Sequence, residues 1–105
     1  MASLLADRGK AVHLADTLKA LAHPIRLRIV ATLCTEELSV NAMAERLRVP
    51  QAILSQQLRI LRMSGLVESF RTRGRASYRL TEPRLRRLVK CLEGCPSNRM
   101  QGGLT

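Results

Sequence analysis

A mainly α-helical fold with one small β-hairpin, in the order α-α-α-α-β-β-α, is what this 105-residue chain predicts. Three observations carry that expectation. Apolar residues recur at three- and four-residue spacing through five stretches, the repeat of a helix with one buried face. Pro24, Pro50 and Pro83 each stand where one such stretch begins, the position a residue without an N–H tolerates best. After Gly65 the spacing changes to two short extended runs, Leu66–Arg71 and Ala76–Leu80, joined by Thr72-Arg73-Gly74-Arg75, which reads as a hairpin.

Residues 1–9 show no clear periodicity and are expected to be flexible. Val12, Leu14, Leu18 and Leu21 then define a first helix from about Lys10 to Ala22, with His13 as a surface or packing residue on it. In the second helix, which Pro24 opens, Ile25, Leu27, Ile29, Val30 and Leu33 are spread round much of the circumference, so it should be central and buried. His23 is read as a turn residue, and Cys34 stands at the helix end before the polar Thr35-Glu36-Glu37 connection. The last helix, after Pro83, carries Leu85, Leu88, Val89 and Leu92 on one stripe and ends at Gly94 and Pro96. One domain thus spans residues 10–95, and residues 96–105 read as a disordered tail.

Between the second helix and the hairpin, Ser39–Gly65 looks like two short helices broken by a turn, a helix-turn-helix. Ser39 is its N-cap candidate, and Val40, Met43, Ala44 and Leu47 share a face. That helix should stop near Arg48, because Pro50 disfavours helical backbone at Val49. In the second helix Leu54, Leu58 and Leu61 point one way, while Gln51, Ser55, Arg59 and Arg62, with Gln56 beside them, point the other, and Gly65 is the C-cap candidate. Amides, a hydroxyl and guanidinium groups without an acid form the donor and acceptor set that reads base edges and grips phosphate. Gln51, Ser55, Gln56 and Arg59 are therefore the candidate DNA-reading residues; an ordinary helical hairpin with a solvated face is the alternative. The following hairpin reads as a wing whose tip gathers Arg71, Arg73, Arg75 and Arg79 around Gly74, suited to phosphate or a minor groove. Arginines serving solubility alone are the competing explanation there.

Eighteen Lys plus Arg against eight Asp plus Glu give a net charge of +10, which points to a polyanionic partner. The basic residues are spread over several elements and no apolar run approaches about 18 residues, so a membrane is set aside. With only Phe70 and Tyr78 as aromatics there is little with which to stack single strands, and double-stranded DNA fits better. The N-terminus has no secretory pattern, so a cytoplasmic protein with thiol cysteines is expected. No nucleophile, base and acid set and no glycine-rich phosphate loop is present, which leaves enzyme function without residues to stand on. A chain this small gains much from pairing, and a homodimer is expected.

Taken in order, LKALAHPIRLRIV, ELSVNAMAERL, SQQLRILRMSGLV and GRASYRL resemble the ArsR/SmtB family of small dimeric winged-helix repressors, over roughly residues 14–95. The resemblance implies that the second helix of the helix-turn-helix enters the major groove, that the wing reaches adjacent backbone, and that the first and last helices form the dimer interface. It implies no required cofactor. Metal-sensing members often carry cysteines where this chain has Ser39 and Asn41, and the acidic and histidine site on the last helix has no histidine here. Gln57 stands where many members have histidine. Members that sense reactive sulfur or oxidants resemble this arrangement, with one thiol on the second helix and another on the last, although Cys34 falls slightly later than theirs; Cys91 and Cys95 are the thiols of the last helix here. A helical i, i+4 cysteine pair suits a bridging soft ion or sulfur chain better than a disulfide, and Cys34 would complete a trigonal site for arsenite. The arginines and lysine of the last helix should favour thiolate. The expectation is an operator-binding repressor released by thiol chemistry at Cys34, Cys91 and Cys95. The alternatives are a repressor whose cysteines are merely structural, or a basic RNA- or protein-interaction module.

Overall fold

The computed structural model describes residues 2–94. Cys95 and the expected tail lie outside the described residues. The element order is α1 (Ala2–Ala6), α2 (Arg8–Leu21), α3 (Pro24–Leu33), β1 (Leu38–Ser39), α4 (Val40–Leu47), α5 (Gln51–Met63), β2 (Val67–Thr72), β3 (Arg75–Leu80) and α6 (Arg84–Glu93). Two elements go beyond the sequence expectation. The segment before Lys10 contains the five-residue α1, and α2 begins at Arg8, capped by the Asp7 carboxylate accepting from the Lys10 N–H at 3.0 Å. The wing is a three-stranded antiparallel sheet in the order β1-β3-β2, because Leu38 and Ser39 pair with Tyr78 and Ser77. A two-residue strand is too short for any alternation to announce it.

Helix α3 is the centre of the protomer: Ile29, Val30 and Leu33 are essentially inaccessible and pack with Met43 and Leu47 of α4, Leu54, Leu58 and Leu61 of α5, and Leu85 and Val89 of α6. Each fully buried leucine contributes about 1.5–3 kcal/mol, so the three on α5 fix that helix against the core. Proline opens α3 as expected, and His23 does more than turn the chain. Its Nδ1 accepts the Ile25 N–H at 3.1 Å and so N-caps α3. Helix α2 leaves most of its apolar face uncovered within the protomer. Of its apolar set only Leu21 is buried, while Val12 and Leu18 are more than half exposed and Leu14 is also open to solvent.

Candidate nucleic-acid interface and thiol groups

The helix-turn-helix is built from local backbone preferences. The Ser39 side chain accepts the Ala42 N–H at 3.2 Å and starts α4. Arg48 ends it in the left-handed region, φ 55°, a conformation costing a non-glycine residue roughly 1–2 kcal/mol. Burial of the following Val49 side chain and the Val49 N–H donating to the Ala44 carbonyl at 3.1 Å offset that cost. Pro50 occupies the N-cap of α5, one position before the first helical turn, and lacks a capping side chain. At the other end Ser64 is the C-cap and Gly65, φ 77°, follows it. The Gly65 N–H donates to the Arg62 carbonyl and the Leu66 N–H to the Leu61 carbonyl, each at 3.0 Å, the Schellman pattern that needs a left-handed residue there.

On α5 the expected division holds. Leu54, Leu58 and Leu61 are buried, whereas Gln51, Ser55, Gln56, Arg59 and Arg62 are exposed. Gln57 alone of the amides turns inward, its Oε1 accepting from Arg26 Nη1 at 2.9 Å. Arg26 also donates from Nε to the Ala20 carbonyl at 2.5 Å and from Nη2 to the Lys19 carbonyl at 3.5 Å. One half-buried guanidinium therefore caps the end of α2 and holds the recognition-helix candidate. Arg28 does similar work on the turn, donating from Nη2 to the Leu47 carbonyl at 2.7 Å. The sequence signal for both was only a pair of arginines on a helix that reads as buried, where a guanidinium needs acceptors.

The wing is a two-residue hairpin. Thr72 pairs with Arg75, and Arg73 and Gly74 both have positive φ, 54° and 77°, as a type I′ turn requires. The arginines expected together at its tip separate. Arg73 and Arg75 border a cleft of about 570 Å³ between the wing and the start of α4, shared with Ser39, Ala42 and Ser77. Arg71 turns back, donating from Nη1 to the Gly74 carbonyl at 3.0 Å. Arg79 is not a tip residue, because the register sets it opposite Glu68, four pairs from the turn pair. There it bonds the Glu68 carboxylate at 2.7 Å and lies 4.4 Å from the centroid of the Phe70 ring.

Cys34 is the C-cap of α3 and half-buried; its carbonyl accepts from Arg86 Nε of α6 at 3.1 Å. Burial pushes its thiol above the ordinary value, Arg86 opposes that and Glu93 adds to it. The expectation that the basic last helix favours thiolate thus fails at this residue, since desolvation outweighs the nearby cation. Arg86 and Glu93 share the side of α6 that faces Cys34. Cys91 is exposed and stands roughly 140° round α6 from Arg86 by the 3.6-residue repeat. Among the described residues no three His, Cys, Asp or Glu side chains are grouped to hold a metal ion. Among them, too, no helix is long and apolar enough to cross a membrane.

A helix-turn-helix with an acid-free outer face, followed directly by a basic β-wing, defines a winged helix-turn-helix DNA-binding protein. The model of the family described as "Bacterial regulatory protein, arsR family" matches residues 23–69. A biofilm growth-associated repressor of Xylella fastidiosa is 43% identical over 83 residues, covering 79% of this chain and 73% of the relative. The chain belongs to the ArsR/SmtB family of transcriptional regulators, which are not enzymes. The crystal structure of the transcriptional repressor BigR from Xylella fastidiosa is 40% identical with a TM-score of 0.76, covering 88% of this chain and 92% of that one. The homodimeric winged helix-turn-helix DNA-binding domain Mb0332 from Mycobacterium bovis is 30% identical with a TM-score of 0.75, covering 91% of each chain.

Proposed function

We propose that this protein is a homodimeric repressor that binds a double-stranded operator through α5 and the wing and is released by chemistry at its thiols. The observation that carries the DNA-binding part is the face of α5: five polar residues exposed, none acidic, on a helix held by three buried leucines. Gln51, Ser55, Gln56 and Arg59 supply base and phosphate contacts, and Arg73 and Arg75 supply backbone or minor-groove contacts. Arg71 contributes charge while bracing its own turn. Dimerisation has its support in apolar groups that the protomer leaves exposed: Leu5, Val12, Leu14 and Leu18 on α1 and α2, and Leu92 on α6. Burying such groups against a second copy would set the distance between two recognition helices.

Thiol sensing is supported by position. Cys34 lies where α3 meets α6, and its own carbonyl is one of the bonds joining them. Modification there would disturb the α3–α6 contact, and with it the dimer and the half-site spacing. Cys91 and Cys95 complete the proposed thiol set, with reactive sulfur, oxidants or arsenite as candidate inducers. A cytoplasmic setting suits both the DNA target and reduced thiols. The test is a reporter gene placed behind the operator. Expression should fall when the protein is made, recover on exposure to persulfide, peroxide or arsenite, and stay low with serine at the responding cysteines. A reporter that rises with the protein refutes repression; one indifferent to every treatment refutes thiol release.

A further inference from the structure

The outermost ridge of α5 follows the spacing i, i+4, i+7, i+11 and consists of Ala52, Gln56, Arg59 and Met63, all exposed. Gln51, Ser55 and Arg62 flank it on one side. On the other lie Ile53 and Ile60, which leave 40% and 37% of their surface in solvent. The first turn of the helix therefore presents an apolar spot, Ala52 with Ile53 beside it, among amides and a hydroxyl. Ala52 stands roughly 150° from the centre of the buried Leu54, Leu58 and Leu61 stripe, so it is not a core residue displaced outward. Residues at the N-terminal end of a recognition helix are the ones that reach base edges.

An alanine pressed against the floor of the major groove offers no donor and no acceptor. Facing guanine, adenine or cytosine edges, it would strip water from polar groups and give nothing back. The thymine C5-methyl is the one apolar group on that floor. We infer that Ala52, extended by Ile53, is a specificity-determining residue that selects a thymine in each half-site by contact with its C5-methyl group. The inference rests on the DNA-reading role of α5 proposed above. It assigns base choice to a residue that the polar pattern of the helix passes over.

The experiment begins with selection of preferred duplexes from a random pool by the wild-type protein. Each thymine of the selected half-site is then replaced, one at a time, by uracil, which removes only the methyl group. One position should weaken wild-type binding about fourfold, the equivalent of withdrawing one methyl group from water and then returning it. Ala52→Gly, checked for unchanged melting, should bind the thymine and uracil duplexes at that position alike. Uracil tolerated at every position by the wild type overturns the inference, as does a uracil effect that persists undiminished in Ala52→Gly. If no sequence is enriched from the random pool, the operator-binding proposal falls and this inference falls with it.

Discussion

Replacing Arg26 with alanine removes three hydrogen bonds at once, to the Ala20 carbonyl at 2.5 Å, to Gln57 Oε1 at 2.9 Å and to the Lys19 carbonyl at 3.5 Å. A bond to a charged group is worth about 1.5–3 kcal/mol when well made. The Lys19 contact is long and Arg26 is only half-buried, so the loss should be about 2–4 kcal/mol, a large part of the roughly 5–15 kcal/mol that holds a domain together. Gln57→Leu removes only the contact to α5 and should cost about 1–2 kcal/mol. Since one bond is common to both variants, the double variant should be more stable than the sum of the two losses predicts, by roughly 1 kcal/mol. Gln57→Glu puts a carboxylate beside the guanidinium and should be at least as stable as the wild type. Urea unfolding followed by circular dichroism measures all four, provided the slope against denaturant stays constant. Additivity within about 0.3–0.5 kcal/mol would show that the Arg26–Gln57 bond does not tie α3 to the recognition helix.

Gln56→Ala or Arg59→Ala should weaken operator binding by about 1–3 kcal/mol, with a base contact showing its loss at a single operator position in a footprint. Neutralising Arg73 or Arg75 should lower affinity for every duplex and flatten the slope of log affinity against log salt by about 0.9 for each phosphate contact removed. The raised Cys34 pKa predicts that alkylation at pH 8 labels Cys91 before Cys34, with the Cys34 rate climbing only at higher pH; equal rates across that range would contradict it. The sign for stability follows. The folded protein holds the Cys34 proton more tightly than the unfolded chain, so this stabilisation is complete below the ordinary thiol pKa and is lost as pH rises through the raised one. Wild type should therefore lose stability relative to Cys34→Ser on going from pH 7 to pH 10.

The elements that place α5 were legible because each announces itself locally. Pro24 and Pro50 mark starts, Ser39 a cap, Gly65 a left-handed stop, and Leu54, Leu58 and Leu61 a single face. Apolar spacing shows that α2 has an apolar face, but periodicity does not say whether that face meets its own chain or another. Hence Val12 and Leu18 turned out exposed. Side-chain partners were the hidden part. That Arg26 would reach Gln57 thirty-one residues on, or that Arg79 would settle on Glu68 and Phe70, depends on packing and strand register. The thiol expectation failed at Cys34 for a related reason: counting cations on α6 ignores burial, the larger influence there.

The central claim is that the outer face of α5 reads a specific duplex. It is tested most directly by titrating one protein, at one fixed salt concentration near 0.15 M, with its selected operator and with a scrambled duplex of equal length. Sequence-specific recognition predicts affinity for the operator higher by about a thousandfold or more, collapsing toward the scrambled value in Gln56→Ala with Arg59→Ala. Equal affinity for the two duplexes, unchanged in that double variant, would contradict it and leave only a basic protein that adheres to polyanions.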